Sequence, residues 1–187
     1  LNSIFHQTVP PTEVVLVCDG PLTAALDTVI LEYEDSCSKD TPRSTQTDMD
    51  DRVTPDGKLD MPGTVFRVVR LTENQGLGKA LNEGLGHCSC EWIARMDTDD
   101  LSTPDRCEKQ LKFLEQHTEV DALSGTIAEF QGDALDGKTA ETAVISYKTV
   151  PETQKEIAAY IKQRNPINHP CVMFRKSRVE SAGGYQP

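Results

Sequence analysis

Short apolar runs alternate with longer amphipathic stretches along most of this chain, and that alternation constrains the fold more than any other feature. The runs at 13–18, 65–71 and 91–96 have the length of strands, and the stretches between and after them carry apolar residues at helical spacing. Strand, helix, strand in succession is the signature of βαβ units, which lay strands parallel and cover the sheet with helices. Glu13-Val14-Val15-Leu16-Val17-Cys18 is nearly continuous in apolar residues, as a strand buried on both faces would be. It stops on the turn Asp19-Gly20-Pro21. In the helix expected over 22–34, Leu22, Ala25, Leu26, Val29, Ile30 and Tyr33 share one face. The spacing therefore predicts an α/β fold in three layers, α/β/α, around a mostly parallel central sheet.

A helix over 77–87 separates the second and third strands. Ser102-Thr103-Pro104-Asp105 then predicts a helix start, with a hydroxyl cap, proline in the first turn and an acid near the positive end. Cys107, Leu111 and Leu114 give that helix its buried stripe. Strands near 120–130, 143–148 and 171–175 and a helix over 152–163 complete the order. Residues 36–63 break the rhythm, being dominated by Ser, Thr, Asp, Pro, Gly and Lys. Such a segment buries too little apolar area to offset its ordering entropy and is expected to be a flexible surface insertion. At 187 residues the chain is expected to be one domain. Leu1, Ile4 and Phe5 open it on one face of a helix, and Ala182-Gly183-Gly184-Tyr185-Gln186-Pro187 closes it on a turn, so both ends are expected to be cut.

A formal charge of −11 and a pI near 4.8 argue against a nucleic-acid partner, whose binding depends on clustered Lys and Arg. An acidic chain still binds phosphate where a metal supplies the positive charge. No apolar run approaches the roughly 20 residues of a membrane span, and there is no signal-peptide pattern, so the chain is expected to be soluble. The six cysteines include no Cys-x-x-Cys pair, which argues against a structural zinc site and for free thiols in a reducing cytosol.

Ligands of open α/β sheets bind beyond the carboxyl ends of the strands. Three such ends carry polar residues here: Asp19-Gly20, Asn74-Gln75-Gly76 and Asp97-Thr98-Asp99-Asp100, expected to converge on one rim. If the third strand runs on to Met96, Asp97 and Asp99 project to one side and repel each other unless a cation lies between them. Oxygen ligands of this kind suit Mg²⁺ or Mn²⁺, and surface acids in a turn are the alternative. The segment from Asn74 to Lys79 fails the phosphate-loop pattern, with Glu73 and Ala80 at two required positions, but opens a helix whose free N–H groups favour an anion. Lys79 is a phosphate contact or a solvated helix lysine, and Asn82 a cap or a local bonding group. Asp19 is a turn former or an acceptor for a base N–H. His169, between prolines in Asn165-Pro166-Ile167-Asn168-His169-Pro170, is a structural histidine or a candidate on the acceptor or metal side.

Taken in order, these segments resemble family 2 glycosyltransferases, the inverting enzymes of the GT-A (Rossmann-like) fold. The first strand with Asp19-Gly20 stands at that family's Val-Asp-Asp-Gly-Ser end, with Cys18 and Pro21 as departures. Asn74-x-Gly76 through Ala80, Asn82 and Gly84 matches its Asn-x-Gly…Ala-x-Asn-x-Gly segment, and Asp97-Thr98-Asp99-Asp100 its Asp-x-Asp motif. Phe174-Arg175-Lys176 and Gly183-Gly184-Tyr185 match its later run. The resemblance implies a donor site of Asp19, Asn74, Gly76, Lys79 and Asp97, with Asp19 on the nucleobase and Asp97 on ribose or metal. It implies Asp97 and Asp99 as ligands of Mn²⁺ or Mg²⁺ and a nucleotide-diphosphate sugar, UDP-sugar favoured, as donor. A glycan or lipid-linked molecule would be the acceptor, in bacterial-type polysaccharide assembly, in the cytoplasm or peripheral to the inner membrane face. The general base is expected beyond Pro187. The alternative is a non-catalytic nucleotide-sugar or metal-binding module. A nucleotidyltransferase would need a glycine-rich loop with a basic residue that this sequence lacks.

Overall fold

The structure, a computed structural model, describes residues 1–37, 63–131 and 144–186. Most of the expected insertion, residues 38–62, lies outside the described residues. The chain divides into two compact units, the first holding residues 1–91 and 176–187 and the second residues 92–175.

In the first unit, α1 (Asn2–Phe5) precedes β1 (Glu13–Cys18), α2 (Ala24–Cys37), β2 (Val65–Arg70) and α3 (Leu77–His87). Strands β1 and β2 pair in parallel, from Glu13 opposite Val65 to Cys18 opposite Arg70, as the βαβ pattern predicts. A Cβ added at Gly84 would sit 2.8 Å from Val17 Cγ2, so the glycine lets α3 lie close on β1. Phe5 is buried and stacks on Tyr33 at 5.3 Å between ring centroids, with Phe66 edge-on at 6.0 Å. The face predicted for α2 is narrower than six residues: Ile30 is buried, whereas Leu26 and Val29 are 52% and 44% exposed. Tyr33 packs into the aromatic cluster and Ile30 is buried, while Ala25, Leu26 and Val29 are exposed.

Glu13 ties the start of β1 to the loop after α3. Its carboxylate accepts from the Ser89 N–H at 2.7 Å and the Ser89 hydroxyl at 3.1 Å, and it pairs with Arg67 at 3.5 Å. Burial alone pushes this carboxyl's pKa up, but the two Ser89 bonds and Arg67 outweigh it and hold the group below the usual range.

In the second unit, β3 (Trp92–Ala94) and β4 (Ala122–Leu123) flank β7 (Met173–Arg175), both antiparallel to it. The hairpin β5 (Ile127–Phe130) and β6 (Val144–Lys148) forms a separate antiparallel pair. Helices α4 (Arg106–Gln116) and α5 (Gln154–Tyr160) belong here, and α6 (Lys176–Ser181) continues β7 into the first unit. The mixed α/β class holds, and its parallel pairing among the described residues is β1 with β2. Alternation of strands and helices does not disclose the antiparallel pairings around β7.

The expected start of α4 is corrected. The helix begins at Arg106, Pro104 lies ahead of it, and no side chain bonds the helix end as a cap. Asp105, at the cap position, turns instead to Lys109 one helical turn on, at 2.5 Å. By contrast, α5 opens with a full capping box between Thr153 and Glu156. Leu114 is 2% exposed and forms the core of this unit with Val172, Met173 and Phe174. All six cysteines are free, and only Cys18 is buried. No helix among the described residues is long and apolar enough to cross a membrane.

Candidate functional site

In the first unit, three expected donor residues meet where β1 and β2 give way to loops. Gly20 has φ +103°, and a Cβ on it would stand 3.0 Å from the Asn74 backbone nitrogen, so only glycine allows this approach. The neighbouring Asp19 carboxylate reaches the Asn74 loop, accepting from the Gln75 N–H at 2.7 Å and the Gly76 N–H at 3.0 Å. Asn74 Oδ1 also accepts from the Gly76 N–H, at 3.2 Å. Asp19 is thus neither bonded to its own turn nor idle: it fixes the entry to α3 and places a negative charge at that helix's positive end. Lys79 lies exposed in the first turn of α3.

The expectation that Asn82 bonds locally is corrected. Its Nδ2 donates to the Tyr185 carbonyl at 2.6 Å and its Oδ1 accepts from the Tyr185 N–H at 2.7 Å, across 103 positions of sequence. Gly184 has φ +71°, and a Cβ there would fall 2.6 Å from Asn82 Oδ1. The two matched segments therefore form one clamp.

In the second unit, β3 ends at Ala94, so strand periodicity does not govern the acids that follow. Residues 97–100 turn back, the Asp100 N–H meeting the Asp97 carbonyl at 3.3 Å. Asp99 is exposed and Asp97 half-buried. Arg95, buried at 8% exposure, forks onto Asp97: its Nη1 donates to Oδ2 at 2.8 Å and its Nη2 donates to Oδ1. Among the described residues Arg95 Nε has no hydrogen-bond partner. Burial raises the Asp100 pKa, and Asp97 and Asp99 push it further, against Arg95 and Arg106. Burial lowers the pKa of His169, with Arg95 adding to that and Asp97 opposing, so His169 lies within the field of the same pair.

Arg106 and Gln110, one turn apart on α4, fix this strand end. Arg106 Nη2 donates to the Arg95 carbonyl at 2.7 Å and Nε to Gln110 Oε1 at 3.1 Å. Gln110, itself buried, donates to the Cys171 carbonyl at 2.8 Å. Buried Asn168 donates from Nδ2 to the Gly125 and Lys148 carbonyls, both at 2.8 Å, and so anchors the loop that carries His169.

Sequence reasoning assigned no role to Arg95, Arg106, Gln110 or Asn168. Two signals were present: a charge inside the apolar run 92–96, and a polar residue four positions before Leu114 on the stripe of α4.

No group of three or more His, Cys, Asp or Glu side chains is gathered as for a metal ion among the described residues. The arrangement does not fit an all-protein cage. Exposed Asp99 beside Asp97 does fit the magnesium-type mode, in which one or two carboxylates hold an ion whose shell substrate phosphates complete.

The sequence model of the family described as Glycosyl transferase family 2 matches residues 58–181. An uncharacterized glycosyltransferase of Haemophilus influenzae is 39% identical over 185 residues, covering 99% of this chain and 57% of that protein. A UDP-Gal:alpha-D-GlcNAc-diphosphoundecaprenol beta-1,3-galactosyltransferase of Escherichia coli is 32% identical over 185 residues, covering 99% of this chain and 54% of that protein. The chain thus spans a little over half the length of these relatives. The mannosyltransferase PcManGT from Pyrobaculum calidifontis, solved with GDP-Man and Mn2+, matches with a TM-score of 0.56 at 20% identity, over 99% of this chain and 42% of that one. That likeness shows the fold, an α/β fold of GT-A type.

Proposed function

This chain belongs to glycosyl transferase family 2, and on that footing we propose that it is the donor-binding part of an enzyme transferring a sugar, with inversion, from a nucleotide-diphosphate sugar to an acceptor hydroxyl. The observation that carries this reading is the turn after β3, where Asp97 is held by Arg95 while Asp99 stays exposed. Asp99, with Asp97 beside it, would hold Mn²⁺ or Mg²⁺. Such an ion supplies Lewis-acid stabilisation of a departing diphosphate.

The chain's own residues do the rest of what is assigned here. Asp97 would meet the ribose or the metal, its carboxylate fixed in direction by the guanidinium. Asp19 would meet the nucleobase with the lone pairs that the Gln75 and Gly76 N–H groups leave free. Asn74, Gly76 and Lys79 would line the donor at the start of α3, whose N–H groups favour an anion. The proton of the attacking hydroxyl needs a base, which the family resemblance puts after the Gly183-Gly184-Tyr185 turn. The name of the Escherichia coli relative specifies a UDP-sugar donor and a lipid-diphosphate acceptor. That favours a UDP-sugar and a lipid-linked or glycan acceptor in polysaccharide assembly for this chain, at the cytoplasmic face of a membrane.

Calorimetric titration of UDP into the protein tests this reading with Mn²⁺, with EDTA, and with Mn²⁺ and Asp99→Ala. Binding with Mn²⁺ that disappears in the other two arms is expected. No heat from UDP, GDP or dTDP with Mn²⁺ would refute the donor site.

A further inference from the structure

We propose that Arg95 is a positioning residue that withholds Asp97 from a divalent cation, so that Asp99 is the carboxylate of this turn left open to the ion. The proposal takes the class of ion from the reading above and narrows which acid meets it. Three carboxylates within four residues, Asp97, Asp99 and Asp100, form a turn that would draw in any available cation. Arg95 is a cation already in place. Its fork grips both oxygens of Asp97, the two-point geometry that a planar guanidinium makes with a carboxylate, and its positive charge beside them repels a second cation.

The hold is built in from several directions. The Arg95 side chain is buried at 8% exposure. Its backbone is pinned on both sides, the N–H to the Val172 carbonyl at 2.9 Å and the carbonyl by Arg106 Nη2 at 2.7 Å. Since β7 contributes Val172's neighbourhood and α4 contributes Arg106, the direction of Arg95 is set by the core of its unit and not by the exposed turn. Leaving this buried guanidinium without its counter-ion Asp97 would be costly. Asp97 therefore stays engaged while Asp99, with no such partner among the described residues, is exposed.

An ordinary stabilising ion pair makes a different prediction. If Arg95 only supports the fold, its removal loosens the turn and weakens every property of the site. If it withholds Asp97, its removal strengthens one property, the affinity of the nucleotide-free protein for a divalent cation. The sign separates the two.

The experiment measures Mn²⁺ binding to the protein without nucleotide, reading free Mn²⁺ by electron paramagnetic resonance, with circular dichroism and a thermal melt on each variant. Arg95→Gln should bind Mn²⁺ about tenfold tighter than the unaltered protein, because it removes a unit charge beside the ion and frees two oxygens. Arg95→Lys keeps the charge but grips one oxygen only, and should bind about threefold tighter. Arg95→Gln with Asp97→Asn should return close to the starting affinity, which shows that the gain acts through Asp97. Unchanged or weaker Mn²⁺ binding in the folded Arg95 variants overturns the proposal. If Arg95→Gln does not fold, Arg95→Lys decides alone. No nucleotide enters this assay, so a protein silent to UDP, GDP and dTDP that still gains Mn²⁺ affinity on losing Arg95 would sink the donor-site reading and leave this one standing.

Discussion

Replacing Arg106 by methionine should destabilise the second unit by about 2 kcal/mol, because two buried acceptors lose their donor at once. The Arg95 carbonyl loses a bond of 2.7 Å and Gln110 Oε1 one of 3.1 Å. The Val172 carbonyl, 3.4 Å from Arg106 Nη2, counts for little, since it keeps the Arg95 N–H at 2.9 Å. A buried acceptor left bare costs about 1–3 kcal/mol, and an apolar side chain in the vacated space returns about 1 kcal/mol. Urea denaturation followed by Trp92 fluorescence reads the right unit, because Trp92 is the single tryptophan of the chain and lies in β3. At a slope of about 2 kcal/mol per M, the midpoint should fall by about 1 M with the slope unchanged. Arg106→Lys should not recover the loss, because one ammonium cannot serve both Gln110 and the Arg95 carbonyl. A fall of less than about 0.25 M would mean that these acceptors are otherwise satisfied, and that α4 does not hold the strand end in this way.

Asn82→Ala removes two bonds to Tyr185 and should cost about 1–3 kcal/mol, concentrated at the turn; hydrogen exchange at the Tyr185 amide should quicken, and unchanged protection there would refute the clamp. Glu13→Gln should make stability less dependent on acid. Because the folded pKa of Glu13 is lowered, its contribution is complete above the ordinary value of about 4.3 and is lost as pH falls through the folded value. The stability gap between the unaltered protein and Glu13→Gln should therefore be widest near neutrality and close on acidification, and a gap of constant size from about pH 7 to about pH 3 would show that the Ser89 and Arg67 contacts do not shift the group.

Elements whose stability comes from their own stretch of sequence were legible in it. β1 was readable to the residue because five of its six residues are apolar, and α3 because Leu77, Ala80, Leu81, Gly84 and Leu85 recur at helical spacing. Elements defined by partners were not. β4 is two residues long and β3 three, and both owe their existence to pairing with β7. α6 went unseen because its anchors are the Glu91 and Cys88 carbonyls, which Lys176 meets through its N–H and its ammonium at 2.8 Å and 2.6 Å. The start of α4 misled for a related reason: a hydroxyl ahead of a proline signals a cap, but the helix begins later, with Asp105 at the cap position and its carboxylate taken by Lys109. The site follows the same division. The acids stood out by type and spacing, whereas Arg95, which orients Asp97, showed only as a charge inside an apolar run, and its partner is set by where the fold puts it.

Two motif residues in the first unit and one in the second share a mode of action that motif matching conceals. Asp19 spends its carboxylate on the Gln75 and Gly76 N–H groups, and Asn82 spends its amide on both backbone groups of Tyr185. Asp97 is met by Arg95 before any ligand arrives. In each case a polar side chain is held by a partner distant in sequence or buried below it, so its direction is settled in advance. A ligand loses binding free energy to every side chain it must order, and about 0.5–1.5 kcal/mol per immobilised side chain is avoided where the fold has ordered it already. Exposed Lys79 and Asp99 are held by no such partner among the described residues, and exposed Asn74 bonds the nearby Gly76 N–H. Substitutions at the held residues should thus disturb folding and binding together, whereas substitutions at Lys79 and Asp99 should change binding with little effect on stability. That contrast separates side chains that hold the fold from side chains proposed to meet the ligand.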